Sequence, residues 1–131
     1  MEEEKGEYMK QTLFVPNGVV FLEDLSHPDP DIPIHDEMWV VLATRSCISV
    51  PVLIDVDGEC TLELSNSILN TDKKKHIEVF SGTLETPGEK LAVSTSVDDR
   101  ILEIDVKNKN TQVSVWVDTK EHSKFVFIEA S

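Results

Sequence analysis

The ionisable side chains that could do chemistry are densest in one stretch, DLSHPDPDIPIHDE, at positions 24–37. It contains two histidines, three prolines and five acidic residues. Such a stretch could form a calcium loop or an acidic contact surface. A calcium loop needs alternating oxygen ligands and a glycine at the sharp bend. Asp29-Pro30-Asp31 begins suitably, but no glycine follows and Pro33 opposes the bend, so the pattern favours a contact surface over a metal site.

The histidines and cysteines do not form a recognisable catalytic or zinc-binding pattern. None of the four histidines lies in an HxH, HExxH or Cys-x-x-Cys context. Cys47 and Cys60 lie inside apolar runs, where a thiol behaves as a small hydrophobic group and its pKa rises. The sequence also lacks a G-x-S-x-G elbow and a phosphate-binding glycine loop. We therefore predict a protein that is not an enzyme, with no catalytic residue, cofactor or metal.

The same stretch has the properties of a stiff binding segment. Pro28, Pro30 and Pro33 fix φ and bias the residues before them towards extended conformations. A stiff segment loses less entropy on binding, and tryptophan is enriched at interface hot spots. The predicted partner-binding residues are the acidic side chains of this stretch and the two tryptophans: Asp24, Asp29, Asp31, Asp36, Glu37, Trp39 and Trp116. The alternative interpretation is a solvated connection between two sheets, with Trp39 in the core.

The net charge of −13 is concentrated in the first half of the chain. Residues 1–63 include 14 acidic and 3 basic side chains, whereas residues 64–131 include 11 and 9. This balance argues against nucleic acid as a partner, because phosphate backbones are bound by clustered Lys and Arg. It favours a basic protein, whose approach an acidic surface would steer. A role in solubility alone is the alternative explanation.

Apolar residues alternate with a period of two, and β-branched residues are frequent. This pattern predicts an all-β fold, an antiparallel β-sandwich of about 8–10 strands. The predicted strands are 11–15, 18–23, 38–44, 47–55, 60–65, 76–82, 90–96, 101–106, 111–118 and 124–130. The short connections within 90–118 predict a C-terminal antiparallel meander. One short helical turn is predicted within 66–76.

Trp116 has an unusual position in the predicted strand TQVSVWVD. Val113, Val115 and Val117 share one face of this strand, so Trp116 falls on the opposite, polar face. It therefore either marks a contact patch or is covered by a loop. A contact patch there would suit a ligand-binding or adaptor β-sandwich, with a protein or carbohydrate partner.

The two cysteines bear on the cellular compartment. Asp57-Gly58 predicts a two-residue hairpin turn that pairs Asp55 with Cys60. Cys47 would then lie about 26 Å further along the strand, whereas a disulfide needs Cα atoms within about 7 Å. Two reduced, buried thiols suit a cytoplasmic protein.

The N-terminus of the chain and the length of its apolar runs also favour a cytoplasmic protein. No run approaches the roughly 20 apolar residues that a membrane span requires, and the acidic N-terminus is unlike a secretory signal. We predict a soluble cytoplasmic protein without a membrane partner. Residues 1–10 are predicted to be a flexible acidic lead-in, and residues 11–131 a single β-sandwich domain.

Several segments resemble the competence protein J family, small intracellular inhibitors of a bacterial DNA-entry nuclease. The matching segments are NGVVFLED, IHDEMW, GEKLAVSTSVDDRILEIDVKNKNTQVSVWV and the closing KFVFIEAS. They are patterns of strand, turn and tryptophan, and residues 1–17 have no counterpart. The resemblance implies a β-sandwich that blocks a nuclease, an activity that immunity proteins of bacterial toxin systems share.

Charge and resemblance together give one functional hypothesis. The protein would be a non-enzymatic inhibitor or immunity protein that neutralises a basic nuclease or toxin. Its carboxylates would cover the nucleic-acid groove of that partner, which already contains Lys and Arg.

Overall fold

The structure, a computed structural model, describes residues 8–33, 39–66 and 76–131. These residues form ten strands. In chain order the strands are β1 (Tyr8–Leu13), β2 (Val19–Glu23), β3 (Leu42–Ala43), β4 (Cys47–Pro51), β5 (Cys60–Ser65), β6 (Ile77–Glu85), β7 (Lys90–Thr95), β8 (Leu102–Asp105), β9 (Asn110–Val117) and β10 (Phe125–Ala130). Sheet A has the order β1-β5-β10-β9-β6, and sheet B has the order β3-β4-β2-β7-β8.

The two sheets enclose one apolar core, which confirms the predicted all-β sandwich. All strand pairs are antiparallel except β5 with β10. Alternation places the apolar side chains inside. In β9, Val113, Val115 and Val117 are buried, whereas Gln112 is exposed and Trp116 is half-buried, as the sequence pattern predicts.

Each predicted strand has a counterpart in the structure, with shifts at the ends. Within the described residues, β1 begins at Tyr8, three residues before the predicted start at Gln11. The helical turn predicted within 66–76 falls almost entirely on residues 67–75, outside the described ranges. In those ranges the helical elements are the 3-10 turns Pro16–Gly18 and Asp55–Asp57, and no helix is long and apolar enough to cross a membrane.

The predicted Asp57-Gly58 hairpin is wrong, because the strands on either side of it lie in different sheets. β4 belongs to sheet B and β5 to sheet A. A type I′ hairpin turn needs two left-handed residues, but Asp57 lies in a 3-10 turn and Gly58 has φ 144° and ψ −170°. The β4–β5 connection is instead held against the β1–β2 connection, because the backbone N–H of Asp55 donates to the Val15 carbonyl over 3.1 Å.

The predicted C-terminal meander is correct for its first pair only. β7 and β8 are antiparallel neighbours, but β9 lies in sheet A between β10 and β6. The chain therefore crosses between the sheets after β8. The crossing is held by Thr86, whose hydroxyl donates to the Asn108 carbonyl over 2.7 Å and whose N–H donates to the Lys109 carbonyl over 2.7 Å. A four-residue connection is long enough to cross the roughly 10 Å between stacked sheets.

Both cysteines are free, and both are buried as predicted. Burial, with a smaller contribution from the carboxylates of Glu23 and Asp31, raises the pKa of Cys47 to about 12. Burial and the Asp118 carboxylate raise the pKa of Cys60 to about 12. The thiolate is therefore a minor species at neutral pH.

We expect neither thiol to react with a disulfide reagent such as DTNB while the protein is folded. Reaction requires an accessible thiolate, and both the accessibility and the thiolate fraction are low. Following colour release with and without denaturant tests this prediction, because both thiols should react promptly once the chain is unfolded. Rapid release from the folded protein would contradict the burial of these side chains.

Candidate functional site

Residues 24–33, here called the acidic segment, begin with a carboxylate that faces inward. Asp24 is 1% exposed. It accepts hydrogen bonds from the Ser26 N–H (2.9 Å), the Ser26 hydroxyl (2.6 Å) and the Gly88 N–H (2.6 Å). Burial raises the pKa of Asp24, but the hydrogen bonds from Ser26 and from the N–H groups of Gly88 and Lys90 outweigh burial and lower it. Asp24 thus fastens the end of β2 to the β6–β7 connection and is unavailable to a partner.

The residue opposite Asp24 has to be glycine. A Cβ on Gly88 would lie 1.9 Å from the Ser26 hydroxyl oxygen and 3.1 Å from both Asp24 carboxylate oxygens. The backbone of the β6–β7 connection can approach Asp24 this closely only because position 88 has no side chain.

His27 holds the next part of the segment. Its Nδ1 accepts a hydrogen bond from the Asp29 N–H at 3.0 Å, so the proton of the neutral ring is on Nε2. Nε2 therefore donates to Glu85 Oε1 at 3.0 Å, and Arg45 Nη1 donates to the same oxygen at 2.9 Å. The hydrogen bond from His27 lowers the pKa of the Glu85 carboxyl, partial desolvation opposes this, and Arg45 lowers it further.

Of the predicted contact residues in the segment, Asp29 and Asp31 have exposed side chains. The Asp29 carboxylate is 87% exposed and lies 3.5 Å from Arg45 Nη2. The Asp31 backbone is held on both sides, because its N–H donates to the Ser46 hydroxyl (2.6 Å) and its carbonyl accepts the Thr44 hydroxyl. Asp36 and Glu37 lie outside the described residues.

The two tryptophans predicted to contact a partner lie far from the acidic segment along the sheets. Trp39 is half-buried, has φ 64°, and its ring centroid lies 4.4 Å from that of His122. β9 runs from the Glu85 end of the sandwich to the His122 end, so Trp39 and the acidic segment are at opposite ends. Trp39 and the described part of the acidic segment therefore do not share one surface.

Trp116 belongs to a row of side chains on the outer face of sheet A. Strand register places five residues in this row: Lys10, Glu63, Phe127, Trp116 and Glu78. Two of them are buried although they face away from the core, Phe127 at 0% and Glu63 at 3% exposure. The Tyr8 hydroxyl donates to Glu63 Oε1 over 2.5 Å, and Lys10 Nζ lies 3.7 Å from the same oxygen.

The burial of Phe127 was not among the features predicted from the sequence. The alternation in β10 is the sequence feature that could have indicated it. Alternation places Phe125 and Phe127 on the outer face, where a strand exposed to solvent carries polar residues. Phe125 also stacks on His76, with ring centroids 4.5 Å apart. The outer face of sheet A is thus partly packed and presents Trp116 only in part.

The arrangement of ionisable groups offers no metal cluster in residues 8–33, 39–66 and 76–131. None of the groupings of His, Cys, Asp and Glu there brings together the three side chains that would hold an ion. The hydrogen bonds and ion pairs around Asp24 and Glu85 stabilise the acidic segment instead.

Comparison with known proteins gives a likeness of fold. No protein-family model and no curated protein matches the chain. A solved structure does match: the crystal structure of ComJ, inhibitor of the DNA degrading activity of NucA, from Bacillus subtilis. The TM-score is 0.68, with 13% sequence identity over 97% of this chain and 98% of that chain. The chain therefore has a ComJ-like fold, which confirms the resemblance to the competence protein J family at the level of the fold.

Proposed function

We propose that this protein is a non-enzymatic inhibitor that binds a nuclease of the NucA type and blocks its degradation of DNA. The observation that supports this proposal is the extent of the likeness to ComJ, which covers 97% of this chain and 98% of ComJ. The two chains thus share a fold along nearly all of their compared length. One fold can have many functions, so the fold alone does not identify the class of partner. The charge of the chain supplies that information.

The charge points to the substrate groove of the nuclease as the target. Such a groove binds phosphates through Lys and Arg, so it attracts a protein of net charge −13. Carboxylates placed against those cations would form charge-assisted hydrogen bonds and exclude the substrate. The protein would act in the cytoplasm, where its two thiols stay reduced. This proposal does not depend on which acidic surface makes the contact.

The test is inhibition of NucA by the purified chain, measured as the rate of DNA degradation. We expect the rate to fall with added protein until it saturates, and the inhibition to weaken as salt screens the charges. An acidic protein of similar net charge controls for a general polyanion effect, and excess divalent metal controls for chelation. Undiminished degradation at a large molar excess of the protein would overturn the proposal. Inhibition that does not depend on salt would contradict the charge mechanism but not the role as an inhibitor.

A further inference from the structure

Among the described residues, three connections at one end of the sandwich expose four large apolar side chains. They are Phe14 (59% exposed), Ile54 (37%), Val56 (83%) and Val97 (67%), and they define what we call the apolar end. They come from three separate connections, β1–β2, β4–β5 and β7–β8. All three connections lie at the end where β1 finishes and β5 begins. This is the opposite end of the molecule from Asp24 and Gly88.

Hydrogen bonds hold the three connections against one another. The Asp55 N–H donates to the Val15 carbonyl over 3.1 Å, which joins the residues beside Phe14 to those beside Val56. The Asn17 side-chain amide donates to the Ser96 hydroxyl over 2.6 Å, which brings the β7–β8 connection alongside. The backbone beneath the four side chains is therefore braced, so little conformational entropy would be lost on binding.

Five carboxylates lie on the same connections as these apolar side chains. They are Asp55, Asp57, Glu59, Asp98 and Asp99. Within the described part of the chain, none of the five takes part in a salt bridge. Arg100, the cation on these three connections, lies 3.5 Å from Glu103. The acidic segment differs, since Arg45 lies against both Asp29 and Glu85.

We propose that the apolar end is the surface that docks into the nucleic-acid groove of the nuclease. This inference rests on the proposed function and locates its contact. Grooves that bind nucleic-acid strands combine Lys and Arg with apolar platforms on which bases stack. A surface with apolar side chains among unpaired carboxylates complements both features, because the carboxylates replace phosphates and the apolar side chains replace bases.

The apolar side chains are the part of this surface that solubility does not explain. Carboxylates alone would keep the protein soluble. Val56 contributes little to the core at 83% exposure, and it lies between two acidic residues in the chain. Interfaces combine apolar anchors with polar groups, and the connections of the apolar end carry both kinds of side chain.

The experiment compares variants of the full chain as inhibitors of NucA. The apolar variant carries Phe14→Ser, Val56→Ser and Val97→Ser, and a milder version carries Val56→Ser and Val97→Ser only. We expect both to inhibit at least tenfold more weakly than wild type, the size of a hot-spot loss. The charge variant carries Asp55→Asn, Asp57→Asn, Asp98→Asn and Asp99→Asn. It should associate more slowly and lose most of its salt dependence.

The matched control makes the same kinds of change at the opposite end, with Ile32→Ser and Glu89→Gln, both at exposed positions. This control should inhibit as well as wild type, and all variants should keep the wild-type thermal midpoint. Full inhibition by the apolar variants, or loss of inhibition only in the control, would overturn this inference while nuclease inhibition stands. A change of oligomeric state without weaker inhibition would assign the surface to a second copy of the chain and overturn it too. Failure of wild type itself to inhibit NucA would overturn the proposed function.

Discussion

Replacing Phe127 with alanine lowers the free energy of unfolding by about 3–5 kcal/mol, the range for large-to-small changes of a buried aromatic side chain. Phe127 is 0% exposed, although it lies on the face of sheet A that points away from the core. Its register neighbours are Glu63 and Trp116. Loss of the ring leaves an unfilled volume beside both of them. Denaturant unfolding of the wild type and the variant measures the difference.

Phe14→Ala is the matched control, since Phe14 is the same residue type at 59% exposure. We expect its free energy of unfolding to stay within about 0.5 kcal/mol of wild type. Equal effects at both positions would contradict the description of Phe127 as a packed residue. A stable Phe14 variant also shows that changes at the apolar end act on binding and not on folding.

The strands could be predicted because their side chains alternate between a buried and a wet environment. In β9, the buried valines Val113, Val115 and Val117 follow a strict period of two. This pattern depends only on the strand's own two faces, so it needs no information about neighbouring strands. The burial of Phe127 could not be predicted in this way, because alternation identifies the second face of a strand but not whether that face is covered.

The partners of each strand were harder to predict for a related reason. Turn chemistry at Asp57-Gly58 shows that the chain turns, but it does not show whether the next strand stays in the same sheet. Here the chain passes from sheet B to sheet A at this point, and again between β8 and β9. Placing β5 against β10 lets Leu62 and Leu64 join the shared core, which is decided by packing across the whole domain.

The candidate site shows the same division between local and long-range information. Composition identified the acidic stretch and its stiff prolines. It could not identify the groups that hold this stretch, because they are distant in sequence. His27 bonds to Glu85, 58 residues away, and Asp24 bonds to Gly88, 64 residues away. The sequence therefore identifies an unusually acidic, proline-rich segment but does not show that Asp24 is engaged within the fold.

Replacing Asp24 with alanine lowers the free energy of unfolding by about 2–3 kcal/mol at neutral pH. The change removes a buried charged acceptor and the hydrogen bonds that it receives from the N–H groups of Ser26 and Gly88. Asp29→Ala is the control, because the Asp29 carboxylate is 87% exposed and its ion pair with Arg45 contributes little. Equal small losses in both variants would contradict the anchoring role of Asp24.

The pH dependence separates this charge effect from simple loss of packing. Because the pKa of Asp24 is lower in the folded state than in the unfolded chain, its carboxylate stabilises the fold above the unfolded pKa of about 3.9. That contribution is lost as the pH falls through the lower, folded pKa, where the folded protein also takes up the proton. The difference between wild type and the Asp24→Ala variant should thus be constant near neutral pH and shrink in acid. A difference that stays constant through this acid range would show that the hydrogen bonds to Asp24 do not depend on its charge.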